Sequence, residues 1–123
     1  VTSYGQYWPA ISNIVDVVSS MPYTDHFGRN VDTWTNAYQT VNNWAKGAAE
    51  RQTEIPTPAI ARTWITAYDT PYWNPTVTYD ATKISDQARA LVDAGLTGGF
   101  ITWNSSSNIN KYNQIKSAFA KDY

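Results

Sequence analysis

The 123-residue chain has no cysteine, one histidine and only two leucines, Leu91 and Leu96. Without thiols there is no disulfide framework, no Cys-ligated metal centre and no thiol nucleophile. Charge of either sign is sparse and balanced: 9 Lys+Arg against 10 Asp+Glu leave a net charge of −1. The basic residues are scattered, with no run of three. Phosphate recognition needs clustered Lys and Arg, so a nucleic-acid or anionic-membrane binder is disfavoured. No apolar run approaches the roughly 20 residues of a membrane helix. No signal-peptide pattern is present either, so any secretion signal lies outside this chain. The chain opens on Val1 rather than Met, which points either to processing or to a chosen chain boundary.

Aromatic residues are plentiful: six Trp, nine Tyr and three Phe. Such rings fill cores, but their flat apolar faces and polar tips also suit sugars and peptides. Position along the chain helps to decide. The β-branched run 14–21, followed by Pro22, reads as a buried strand. Val31, Trp34, Tyr38, Val41, Trp44, Ala45 and Ala48 recur at helical spacing, with Asn30 or Asp32 as cap. Residues 59–68 form a second strand, and a long loop runs from Asp69 to Tyr79. Asp80 caps a helix carrying Ile84, Ala88, Leu91 and Val92, which Gly95 closes. Residues 100–103 are a third strand. A last helix places Ile109, Tyr112, Ile115 and Phe119 on one face, and residues 6–13 suggest an opening helix.

The order α-βα-βα-βα predicts an α/β fold of about three parallel strands alternating with helices, joined by right-handed crossovers. Each strand is almost continuously apolar, as expected when both sheet faces are covered. Ligands of such folds bind at the carboxyl ends of the strands. The loops leaving the strands here carry Tyr23, Asp25, His26 and Phe27, then Asp69, Tyr72, Trp73 and Asn74, then Asn104 and Ser105 to Ser107. The loops leading into strands hold no aromatic residue and one carboxylate, Glu54. Packing alone does not predict that split. Three parallel strands also do not close a barrel, which takes eight strands and about 250 residues, and they leave two open edges.

The segment 16–27, DVVSSMPYTDHF, resembles the "D-Y/V-I/V-S-P-M-x-Y-P-S-H-Y" strand of a family of glycoside-hydrolase-like (β/α)8 barrels formerly classed as a domain of unknown function. RTWITAY at 62–68 is similar to that family's "R-P-W-L-Q-x-F" strand, and residues 87–104 resemble its "Q-I-x-A-x-x-D-A-G-x-x-G-W-x-L-W-N" close. The three motifs stand in the family's order and spacing. The resemblance implies that residues 1–123 are the C-terminal part of a TIM barrel, strands six to eight, from a secreted or cell-wall-associated bacterial protein. The chain departs from the pattern at Ser20 and Thr63 (family Pro), Thr66 (family Gln) and Thr24-Asp25 (family Pro-Ser). A changed polar set on the binding face points to a different ligand or a lost activity.

Glycoside hydrolysis needs two carboxyl groups across the scissile bond. Only Asp25 and Asp69 stand at strand carboxyl ends, and each also suits an Asx turn. His26, beside Asp25, completes the catalytic candidates. Tyr23, Trp64, Tyr68, Tyr72, Trp73, Trp103 and Asn104 are the substrate-binding candidates, with Trp64 or Trp103 as the floor of a sugar subsite or as core. No ligand spacing for a metal, no nucleophile elbow and no phosphate loop appears, so no cofactor is expected. The expected function is part of a glycoside hydrolase acting on a polysaccharide or cell-wall glycan, inactive alone. Two alternatives are a non-catalytic carbohydrate-binding domain and a structural fragment completed by another chain. Expected partners are a carbohydrate and either the N-terminal part of the barrel or a second copy covering the open strand edges; neither nucleic acid nor a membrane span is expected.

Overall fold

The computed structural model describes residues 5–28, 30–69 and 74–123. Helix α1 (Trp8–Ser12) leads into strand β1 (Val17–Val18) and a 3₁₀ turn (Thr24–His26). Helices α2 (Asp32–Thr35) and α3 (Ala37–Thr53) follow, then strands β2 (Ile60–Ala61) and β3 (Thr63–Thr66). Helix α4 (Ala81–Asp93), strand β4 (Phe100–Trp103), helix α5 (Ile109–Ile115) and a 3₁₀ turn (Lys116–Ala120) complete the order. The chain is a mixed helix and strand protein whose strands pair in parallel: β1 with β2 and β3 with β4. Among the described residues no helix is long and apolar enough to cross a membrane.

The two ladders share one continuous middle segment. Amide N–H groups of even-numbered residues point one way: Ile60 donates to Asp16 O, Arg62 to Val18 O and Trp64 to Ser20 O, at 2.9–3.0 Å. On the other side β3 pairs with β4, and Ala67 N–H donates to Trp103 O. The segment 60–66 thus has β1 as its parallel neighbour on one side, toward its start, and β4 on the other, toward its end. The next even amide, Thr66, has run past the end of β1. Gln87 of α4 takes the place of the missing strand: its Oε1 accepts from Thr66 N at 3.0 Å, and its Nε2 donates to Thr66 O at 2.8 Å.

Side chains alternate across this segment, as the pleat requires. Odd-numbered Ala61, Thr63, Ile65 and Ala67 are all buried, and Ala61, Ile65 and Ala67 belong to a core with Val41, Ala45 and Ala48 of α3 and Ile84, Ala90 and Leu91 of α4. Ile65, Ile84 and Leu91 each contribute roughly 1.5–3 kcal/mol by leaving water. The small residues let α3 and α4 approach closely, and Asn42 Nδ2 donates to Ala90 O between them. Gly98 is needed where the loop into β4 crosses β2, since a Cβ there would lie 2.5 Å from Ala61 O.

Among the described residues helices cover one face of the strands, against the expectation of two. On the second face Ile60 is 51% exposed, its partner Val17 39% and Trp103 46%. The run 14–21 is therefore less buried than it reads: Ile14 and Met21 are exposed, and only Val17 and Val18 form regular strand. The main helix starts at Ala37 and is capped by Asn36, whose side chain accepts from Gln39 N. Asn30 serves only the turn ahead of α2, through Asp32 N. Asp80 caps α4 through Lys83 N, and Gly95 turns left-handed (φ +98°) just beyond that helix, both as expected. In the last helix only Ile115 of the four expected apolar contacts is buried; Ile109, Tyr112 and Phe119 are exposed.

Candidate functional site

Strand β1 delivers its chain through Pro22 into a turn that carries Tyr23, Thr24, Asp25 and His26. Thr24 is fully buried: its N–H donates to Thr66 Oγ1 at 3.0 Å, and its hydroxyl lies 2.5 Å from Tyr79 OH. Tyr79 donates its own proton to Trp34 O at 2.6 Å, so Thr24 is the donor between the two hydroxyls. These bonds tie the loop after β1 to the end of β3 and to the segment ahead of α4.

On that frame Asp25 meets Tyr68. The Tyr68 hydroxyl donates to Asp25 Oδ1 at 2.5 Å, and the Asp25 side chain is only 13% exposed. Tyr23 stands edge-on to Tyr68, with ring centroids 6.0 Å apart, and edge-on to His26 at 5.5 Å. His26 Nε2 is 3.8 Å from the same Asp25 oxygen, on a mostly exposed imidazole. Burial pushes the Tyr68 hydroxyl well above the ordinary tyrosine range; its bond to Asp25 and the charge there push further, and the Thr66 hydroxyl opposes weakly. Burial also raises Tyr23.

Trp64 and Trp103 form a second group. They pack edge to face, 6.2 Å apart at 83°. Trp64, Thr66 and Tyr68 are two residues apart, and the register pairs Thr66 with Trp103, so the tryptophan pair and the Tyr68–Asp25 pair line one face of the sheet. Beyond Trp103, Asn104 Oδ1 accepts from Ser107 N at 2.8 Å, and Ser105 and Ser107 take left-handed backbone (φ 63° and 51°). Such conformations are uncommon outside glycine and concentrate at ligand sites.

Asp69 turns to a different task. Its Oδ1 accepts from Tyr79 N at 2.9 Å and from Lys111 Nζ at 2.7 Å. Lys111 also donates to Tyr79 O and to Gln114. The base of the 69–79 loop is thereby fastened to α5. Tyr72 and Trp73, named among the substrate-binding candidates, lie outside the described residues. A cleft of about 930 Å³ lies at the opposite end of the strands, between α3, β2 and the loop 94–98, with Lys46, Glu50, Ile60, Arg62 and Leu96 on its walls.

Residue type and spacing single out Tyr23, Asp25, His26 and Tyr68, and the structure brings these together. Lys111, Thr24, Thr66, Tyr79 and Gln87 hold the site and escape that reading. Nothing local marks them: a lysine in the first turn of a helix and a threonine in a strand are ordinary.

The buried tyrosines predict alkaline lability. Burial pushes Tyr79 up to about 12. An unfolded tyrosine ionises near pH 10, so above that pH the unfolded state releases its proton first and stability falls until the folded pKa is reached. Two pH units correspond to about 3 kcal/mol lost between roughly pH 10 and pH 12, with Tyr23 and Tyr68 acting in the same direction. Urea unfolding at pH 8, 10 and 11.5 checks this. A midpoint that holds steady over that range contradicts the buried placement of these hydroxyls.

A family model described as "putative glycosyl hydrolase domain" matches residues 1–111 of the chain. No curated protein matches it, and no solved structure does.

Proposed function

The chain belongs to that family, and from this premise we propose that it supplies three consecutive βα units, strands six to eight, of a (β/α)8 barrel that hydrolyses a polysaccharide or cell-wall glycan outside the bacterial cell. The observation that carries the reading is the second face of the strands. Val17, Ile60, Trp64, Ile101 and Trp103 share it, and helices cover only the other face. A parallel sheet buries both faces. Further parallel strands beside β1 and β4 turn this face into the interior of a barrel and satisfy both edges. The order of units along the chain also matches their order in space, as in a barrel.

In this reading the end that carries Tyr23, Asp25, His26, Tyr68 and Trp103 is the mouth of the barrel, where such enzymes place their sites. Trp103, edge-packed on Trp64 and half exposed, offers an apolar ring to the C–H face of a sugar. Asp25 is the buried carboxylate at the centre. Asp69, held by Lys111, shapes the rim. The second carboxyl group that hydrolysis requires comes from strands outside this chain.

The test compares the full-length protein with residues 1–123 on a panel of soluble polysaccharides and cell-wall glycans, measured by release of reducing ends. The full-length protein is expected to cleave at least one of them and the isolated chain none. Turnover by the isolated chain refutes the division of the site. Saturable binding by the full-length protein without turnover assigns it to carbohydrate-binding modules instead.

A further inference from the structure

We propose that Tyr68 is a positioning residue that holds Asp25 as the ionised carboxylate of the site, its base or nucleophile, and that Asp25 is not the proton donor. This rests on the hydrolase reading above and assigns the roles within it.

The assignment follows from where the protons are. Tyr68 has one hydroxyl proton, and it is spent on Asp25 Oδ1 at 2.5 Å. A carboxylate is an acceptor only, and the Tyr68 proton is placed to meet it. Committed to Asp25, Tyr68 has no second proton for a sugar hydroxyl, so it is a poor substrate donor despite its place at the barrel mouth. Its own position is fixed from below. It follows Thr66 by two residues, and Thr66 is clamped by Gln87 through backbone N and O and receives the Thr24 amide on its side chain. Thr24 is the residue next to Asp25. One buried group therefore anchors both partners of the bond, each within two residues, which sets the carboxylate against the sheet with little freedom. Edge-on Tyr23 closes the other side of the Tyr68 ring.

An ionised carboxylate cannot protonate a departing oxygen. It serves either by taking a proton from the water that attacks the anomeric carbon, or by attacking that carbon itself and being released by water in a second step. In both cases the anomeric carbon gains a bond to oxygen and the glycosidic C–O bond breaks. The departing oxygen takes its proton from a carboxylic acid on a strand outside this chain. One water is consumed overall.

The test uses the full-length protein with the 2,4-dinitrophenyl glycoside and the methyl glycoside of whichever sugar the glycan panel identifies. The first leaving group needs no proton and the second does. Asp25→Ala and Asp25→Asn are expected to lose roughly 10²–10⁴-fold on both substrates, the usual worth of a base in place. Tyr68→Phe, which keeps the ring, is expected to lower kcat on the order of 10²-fold with KM within about threefold, as for a small misplacement of a reacting group. Circular dichroism melts confirm that the variants fold. Near wild-type hydrolysis of the dinitrophenyl glycoside by Asp25→Ala makes Asp25 the acid and overturns the proposal. A Tyr68→Phe effect confined to KM makes Tyr68 a substrate contact and overturns it as well. Failure of the wild-type protein to cleave either glycoside removes the hydrolase reading and this assignment together, an outcome distinct from the other two.

Discussion

Gln87→Leu is expected to lower the free energy of unfolding by about 4 kcal/mol, since a buried polar group left without a partner costs roughly 1–3 kcal/mol and two are stranded. Gln87 is fully buried, and its amide makes the bonds to Thr66 N and O that a longer β1 would otherwise make. Leucine has about the right volume, so the loss isolates the hydrogen bonds from any cavity. With a urea slope of about 1–3 kcal/mol/M, the midpoint should fall by more than about 1 M. Gln87→Glu sharpens the test. Glutamate keeps the acceptor for Thr66 N but sets an oxygen against Thr66 O and Lys83 O, where Gln87 Nε2 now donates. Only the protonated acid restores a donor there. Its folded state therefore favours the neutral form, and the added stability is present below about pH 4 and lost as pH rises. The deficit of Gln87→Glu relative to wild type should shrink on acidification, whereas that of Gln87→Leu has no such dependence. If Gln87→Leu unfolds within about 0.5 kcal/mol of wild type, less than one ordinary hydrogen bond, the strand end is held by something else.

Trp34→Ala is the second large effect, at about 3–5 kcal/mol, the usual cost of removing a buried aromatic side chain. Trp34 is 2% exposed. Its Nε1 donates to Pro75 O at 2.9 Å, and its carbonyl accepts the Tyr79 hydroxyl. It thus pins the loop ahead of α4 onto α2. Trp34→Phe should recover most of the loss, because Pro75 is exposed and its carbonyl can take a water in place of the indole. Thermal melts of both variants against wild type decide. Equal losses for Phe and Ala would place the energy in the hydrogen bond rather than in packing. Since the Tyr79–Thr24 contact sits on the same loop, Trp34→Ala should also disturb the Asp25 turn, read as a change in the Tyr23 and Tyr68 side-chain resonances.

Much of the frame was legible before any coordinates. Alternation of apolar strand and capped helix gave the element order, and Asp80 and Gly95 marked the limits of α4 because capping is a local, one-turn affair. The boundaries of β1 were not legible. Ile14, Val15 and Met21 have the composition of a strand, but a strand needs a partner, and the partner segment runs past β1 at Ser20. Likewise Ile109, Tyr112 and Phe119 have the spacing of a buried face, yet Ile109 and Tyr112 stay exposed and Phe119 only stacks on Phe100. The site divides in the same way. Aromatic and acidic residues concentrated after each strand pointed to Tyr23, Asp25, His26 and Tyr68. The separate fate of Asp69 depends on Lys111, 42 residues away, and no local pattern signals that pairing.

By itself the sequence determined which segments are strand or helix, that the strands run in parallel, the family and which end of the strands gathers rings and acids. These follow from periodicity, capping and motif order, all carried by near neighbours in the chain. Only the tertiary structure decided that Tyr68 takes Asp25, that Lys111 takes Asp69, that Gln87 stands in for a missing strand and that the described helices cover one sheet face and not the other. Each of those depends on a hydrogen bond or a packing surface between segments distant in the chain, and the free energy of such a contact exists only once the chain has brought its two halves together.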